Sequence, residues 1–331
     1  MLRTAGALGL GALMAALPYQ PVSTQESSPT ATVRLHHVHV NAVNPEASVA
    51  YYRKLHPDVT EAVTFNGAPG IKTGNMYLLF NKVNAAPKTE STAPQTAVSH
   101  YGWSTTDPRK FHEGLAAKGL KTAQMWDAAD GELVDMSSDV LPGGPTQEQI
   151  IELRAKGTQP TRQGGYGYVR DPDGAVVEYS GGGANPVERF NHIHMFHEHP
   201  WCAAHWYVTN LGAKFPEGRT DIPSASDCQQ RYGPPTYPAF TKSGSSKQPS
   251  ANAFFGDISI SVWPWPGGGL ASTRGYVVDH WAVSVADLDA MVARLRGAGV
   301  RFLEDIHPWG TTRAAMIEGP DRVAIELVEE K

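Results

Sequence analysis

The sequence predicts an α+β fold built from four repeated strand–helix–strands units, arranged as two tandem domains. Three observations carry this expectation. At 331 residues the chain is long enough for two cores of ordinary size. His100 and His280 open matching stretches, HYGWSTTDPRKFHEGLAAKGL and HWAVSVADLDAMVARLRGAGV. His37 and His192 open another pair, HVHVNAVNPEASVAYY and HIHMFHEHPWCAAHWY.

The units follow one another at about 33–90, 96–180, 188–266 and 274–329. The first and third begin with His-x-His on a strand, pass a proline-marked turn, and carry an aromatic pair, Tyr51-Tyr52 and Trp206-Tyr207. Each ends in an extended region, Asn75–Val83 and Ala253–Trp265. In the second and fourth, Asp107 and Asp287 start amphipathic helices that Gly119 and Gly299 close. Their last strands follow Pro/Asp-rich turns, Asp171-Pro-Asp-Gly and Gly319-Pro-Asp-Arg, and carry Glu178 and Glu326. Gly181–Pro186 is the expected boundary, giving domains at 33–181 and 187–331. Two inserts break the repeat: Trp126–Gln163, with a helix expected at Thr146–Lys156, and Glu217–Ser250.

Composition narrows the function. With 41% hydrophobic and 18% charged residues the chain is globular, and a net charge of −5 without a Lys/Arg cluster argues against nucleic acid. Residues 1–32 read as a signal peptide and linker: a charge at Arg3, a short apolar run Thr4–Leu17, then a polar stretch. The run is too short to span a bilayer, so the mature protein is expected to be exported, periplasmic or secreted, without a membrane partner. The two cysteines, Cys202 and Cys228, fit either a disulfide or two separate thiols.

Thirteen histidines remain to be explained. These motifs resemble the vicinal-oxygen-chelate superfamily of glyoxalases, extradiol dioxygenases and bleomycin-resistance proteins. The resemblance implies βαβββ modules forming glyoxalase-like domains with cupped mixed sheets. Carried over residue by residue, it implies metal ligands His37, His100 and Glu178 in the first domain, and His192, His280 and Glu326 in the second. Two imidazoles and a carboxylate leave coordination positions open, which suits Fe(II), with Zn(II) or Mn(II) as alternatives. The second half, free of the long insert in its last unit, is favoured slightly as the active one.

His39 and His194 share a strand face with His37 and His192 and are either metal-side groups or interior histidines. His194 and Tyr276 are the candidates for acid/base catalysis. His36 is expected on the opposite face; His197, His199 and His205 are expected at the surface; Tyr101 and Trp281 in the core. Trp263, Trp265 and Trp309 fit either a core or a pocket rim. The leading reading is a metal-dependent enzyme like an extradiol dioxygenase, acting on a small molecule with vicinal oxygens; a homodimer is compatible. The alternatives are a glyoxalase-like lyase or isomerase and a sequestering protein of the bleomycin-resistance type. Neither Asn75–Phe80 nor Ile258–Val262 ends in the glutamate that glyoxalase I enzymes add, which counts against that activity.

Overall fold

A computed structural model describes residues 33–124, 126–127, 133–141, 146–181, 187–237, 244–265 and 267–330. Residues 1–32, expected as a leader, and 182–186, in the expected junction, lie outside the described residues. The first unit comprises β1 (Arg34–Ala42), α1 (Pro45–Leu55), β2 (Glu61–Phe65), β3 (Ala68–Thr73) and β4 (Met76–Lys82). The second has β5 (Val98–Ser104), α2 (Pro108–Leu115), β6 (Thr122–Ala123), β7 (Trp126–Asp127), β8 (Leu133–Val134), α3 (Gln147–Ala155), β9 (Gly165–Arg170) and β10 (Val176–Gly181). In the third are β11 (Arg189–His197), α4 (Pro200–Leu211), β12 (Ala251–Phe255) and β13 (Ile258–Pro264). The fourth holds β14 (Val278–Val285), α5 (Leu288–Gly297), β15 (Phe302–Trp309), β16 (Thr312–Glu318) and β17 (Ala324–Glu329).

Helix starts fall where the sequence puts them. The carboxylates of Asp107 and Asp287 accept from Lys110 N and Ala290 N, satisfying donors that the first helical turn leaves unpaired. Thr146 and Gln149 form a reciprocal capping box on α3. α5 buries Leu288, Met291, Val292 and Leu295, one stripe at helical spacing.

The strands form an eight-stranded sheet, β15-β16-β17-β14-β1-β4-β3-β2, and a seven-stranded sheet, β12-β13-β11-β5-β10-β9-β6. Four modules and two mixed sheets are therefore present, but the halves 33–181 and 187–331 are not the units of sheet formation. β1 of the first half pairs antiparallel with β14 of the second, and β11 pairs antiparallel with β5. Each sheet thus takes one module from each half. The edge that β1 or β5 leaves open in its own module is closed by the equivalent strand of the other half.

The sheets share one hydrophobic core. Tyr52 of α1 packs 5.9 Å from Trp103 of β5, and Tyr207 of α4 lies 5.7 Å from Trp281 of β14. Both tyrosines are buried, so each hydroxyl needs a partner. Tyr52 donates to Asp171 Oδ2 at 3.0 Å and meets the Tyr101 hydroxyl at 2.5 Å. Burial pushes the Asp171 carboxyl up to about 7, against backbone donors at Ala175 and Asp173. Tyr207 instead meets His197 Nε2 at 3.0 Å, whose Nδ1 lies 2.5 Å from Asp321. His197 is thus fully buried, not at the surface as its place near a turn suggested, because Tyr207 and Asp321 enclose both of its nitrogens.

Cys202 of α4 and Cys228 form a disulfide with Cα atoms 4.9 Å apart, fastening the second insert to the helix. Among the described residues no helix is long and apolar enough to cross a membrane.

Candidate metal centres

The crossed pairing regroups the expected ligands. His37, His280 and Glu326 come together in the eight-stranded sheet, and His192, His100 and Glu178 in the seven-stranded one. The groupings His37/His100/Glu178 and His192/His280/Glu326 do not form, since β1 lies beside β14 rather than β5.

The two clusters occupy the same register. His39 faces His280, His37 faces Ala282, and Ala282 pairs with Glu326. Likewise His194 faces His100, His192 faces Gly102, and Gly102 pairs with Glu178. In the first cluster His37 Nε2 and His280 Nε2 lie 3.2 and 3.7 Å from Glu326 Oε2. In the second, His100 Nε2 is 3.0 Å from Glu178 Oε2 and His192 Nε2 is 3.6 Å from Oε1.

The β1–β14 and β11–β5 ladders each carry two β-bulges, at matching places, and the extra residue of each orients a cluster histidine. His36 and Asp279 are unpaired residues of the β1–β14 ladder; Asn191 and Ser99 are those of β11–β5. A bulge lets residue i−1 turn onto the face of its neighbour, which regular alternation forbids. His36 Nδ1 therefore reaches His37 Nδ1 at 2.7 Å, instead of pointing to the opposite face. Asp279 Oδ1 holds His280 Nδ1 at 2.7 Å, Asn191 Oδ1 holds His192 Nδ1 at 2.8 Å, and Ser99 Oγ meets His100 Nδ1 at 3.1 Å. All four rings thereby present Nε2 to the centre. The sequence reading missed these orienters, although a polar residue directly before each ligand histidine was a visible signal.

Electrostatics prepare the donors. Burial, then His100, lowers the His194 imidazole well below its ordinary value; burial, against Glu178, brings His192 down to about 4. Burial lowers His37 and His39 as well. His280 differs: burial is outweighed by the Asp279 and Glu326 carboxylates, which raise it to about 9. Glu178 and Glu326 are held low, burial being overcome by their histidines. His37 Nε2 and Glu326 Oε2 are buried without a hydrogen-bond partner, as are both ring nitrogens of His194. In the first cluster the orphaned His37 Nε2 and Glu326 Oε2, 3.2 Å apart, fit a shared divalent cation.

The surroundings of the clusters differ. A cavity of about 400 Å³ opens on His100, His192, Glu178 and His194. His194 stacks on His100 with centroids 4.7 Å apart and meets Trp263 edge-on at 4.5 Å. Beside His192 and His194 on β13 stand Ser259 and Ser261; beside His37 and His39 on β4 stand Tyr77 and Leu79. Next to Glu178 is Tyr168, whereas Met316 neighbours Glu326. Trp309 covers His37 at 5.4 Å, backed by Phe65 and Tyr77. Asn66, in the β2–β3 turn, donates to Trp309 O and accepts from Thr311, so the ends of the eight-stranded sheet meet over that cluster. The cavity thus lies with the glutamate of the first half, not with the half the sequence favours. Tyr276 donates to Pro94 O at 2.6 Å and lies under Lys88, an engagement with the linker before β5. Among the three tryptophans, Trp263 lines the cavity and Trp309 caps the closed cluster.

Paired strand–helix–strands modules with a His/His/Glu group in each sheet make a glyoxalase-like fold with two candidate metal sites. Residues 189–327 match the family described as the Glyoxalase/Bleomycin resistance protein/Dioxygenase superfamily. Glyoxalase I from Zea mays is similar in fold, with a TM-score of 0.56 at 15% identity over 90% of this chain and 92% of that one. A proposed dioxygenase from Bacillus subtilis gives 0.53 at 12% identity, over 91% and 86%. A search of the curated proteins finds no match.

Proposed function

We propose that the protein is a divalent-metal-dependent enzyme acting on a small molecule with two adjacent oxygens, at the His100/His192/Glu178 centre. Within that class the reading is an extradiol-type dioxygenase using Fe(II). The observation that carries it is a three-donor set opening into a cavity, with His194 beside it and both His194 nitrogens unpartnered. His100, His192 and Glu178 would hold the metal, which supplies Lewis acidity to two chelated oxygens and, in an oxygenase, a site for dioxygen.

The chain's own groups do the rest. Glu178 is ionised and His192 neutral, the states in which both bind a cation. His194, kept neutral and fixed by its stack on His100, can take a proton at a ring nitrogen from a substrate hydroxyl. Ser259 and Ser261 hydroxyls, 3.0 Å apart, offer hydrogen bonds along one wall, with Asn252 3.2 Å from Ser259. Burial, and then Glu178, keeps the Tyr168 hydroxyl protonated, so it serves as a donor at the opposite wall.

A second reading, a Zn(II)- or Mn(II)-dependent lyase or isomerase, is favoured by the fold likeness to glyoxalase I over most of both chains. Against it, β4 ends in Asn81-Lys82 and β13 in Trp263-Pro264, without a fourth carboxylate. The disulfide supports export to an oxidising compartment.

The test is metal analysis of protein purified without oxygen or added metal, followed by oxygen uptake with catechols. Iron and turnover that Glu178→Gln abolishes are expected. Zinc or manganese without oxygen uptake favours the second reading. No metal, with none taken up on titration, leaves only a sequestering protein.

A further inference from the structure

Arg189 stands on the wall of the open cavity, and the β-bulge beside it explains why. Counted back from His192 by simple alternation, Phe190 would share its face and Arg189 would point to the core. The extra residue of the bulge, Asn191, reverses that order. Phe190 is buried in the core, and Arg189 joins His192 on the cavity wall. Among the described residues that line the cavity it is the one Lys or Arg. Arg189 pairs with Ser104 and His192 with Gly102, two ladder positions apart, or about 7 Å along the sheet.

The partner of Arg189 is Asp257, in the turn between β12 and β13, which lines the cavity too and meets Arg189 Nη1. The Asp257 side chain is 69% exposed and that of Arg189 44%. Water competes for both charges of so wet a pair, which leaves it little net attraction. A carboxylate held between the cavity walls meets less competition and matches the fork of the guanidinium.

The closed cluster supplies the contrast. Arg34 holds the same place on β1, three residues before His37 and opposite Ser284. The turn between β3 and β4 carries Asn75 two residues before Tyr77, the strand neighbour of His37; Asp257 stands two before Ser259, the neighbour of His192. Arg34 pairs instead with Glu330, past the end of β17. The acid that holds an arginine at the cavity is thus found in the sheet that has the cavity.

We infer that Arg189 is the specificity-determining residue of the open centre and binds a carboxylate on the substrate, which takes the place of Asp257. This rests on the functional reading and narrows its substrate class. The two ladder positions between Arg189 and His192 suit one six-membered ring, with adjacent oxygens at one end and a carboxylate at the other.

The test is titration calorimetry on the Zn(II)-loaded full chain, with 3,4-dihydroxybenzoate, catechol and benzoate as probes. Dihydroxybenzoate should bind at least tenfold more tightly than catechol, and benzoate weakly. Arg189→Gln should bring dihydroxybenzoate to the affinity of catechol and abolish benzoate binding, with catechol unchanged. Asp257→Asn should tighten dihydroxybenzoate several-fold by removing a competing carboxylate, a gain that a purely structural ion pair does not give. Arg34→Gln should change none of these. Equal affinities for dihydroxybenzoate and catechol in the wild type overturn the inference. So does a preference that survives Arg189→Gln, or one that depends instead on Lys247, which lies over the Trp263 ring at 5.4 Å. The wild-type affinities and the Asp257→Asn shift decide the matter even where Arg189→Gln fails to fold. Benzoate binding that needs Arg189, without catechol binding, would sink the functional reading alone. Catechol binding that Glu178→Gln abolishes, with no preference for the acid, would sink this inference alone.

Discussion

The two centres share a backbone and differ in their neighbours. Bulges, ladder register and the strand that carries the glutamate coincide in both sheets. What separates them is a few side chains on adjacent strands: Tyr77 and Leu79 against Ser259 and Ser261, Met316 against Tyr168, and a Trp309 lid. Register therefore fixes where the clustered side chains meet, and the flanking strands decide whether a cavity opens on them.

The comparison breaks most visibly if the open centre is given the closed centre's neighbours. Ser259→Tyr with Ser261→Leu should fill the cavity and drop turnover to that of metal-free protein, while metal analysis still finds the ion at Glu178. Retained turnover would mean the cavity is not where the substrate binds.

The buried tyrosine anchors of the halves should respond to pH in opposite senses. Asp171, at about 7 when folded and near 3.8 when unfolded, stays protonated only in the native state between those values. Stability from this group is complete below about pH 4 and is lost as pH rises to about 7, on the order of 4 kcal/mol. Asp321 is lowered, burial being outweighed by His197, so its contribution is present above its unfolded value and lost as pH falls. Denaturant midpoints measured against pH should show Asp171→Asn flattening the decline between pH 4 and 7, since the amide oxygen can still accept from Asp173 and Ala175. An unchanged slope would place the titrating group elsewhere.

A smaller asymmetry is covalent. Cys202→Ser should cost about 3 kcal/mol in equilibrium unfolding without reductant, and reductant should bring the wild type to the same midpoint. The first half has no cysteine to match it.

Much of this was legible before any coordinates. The repeats fixed four modules, Asp107 and Asp287 marked helix starts, and the six residues of the two His/His/Glu clusters were named from their places in the repeat. Which modules share a sheet was not legible, because β1 presents the same alternating pattern to β5 or β14, and local periodicity holds no record of long-range pairing. The bulges hid in plain sight: His36 read by simple alternation points away, and only the extra residue in the ladder turns it toward His37. His197 misled for a related reason, since its burial depends on Asp321, 124 residues distant.

The crossed sheets carry a consequence for how such a chain comes about. Two like halves that complete each other's sheets form the arrangement a symmetric pair of separate, identical copies would adopt, each centre shared across the twofold axis. In such a pair the centres are bound to be twins, because every substitution appears in both. Joining the copies into one polypeptide ends that obligation. Tyr77 can then seal one centre while Ser259 opens the other, on a strand register that both centres share.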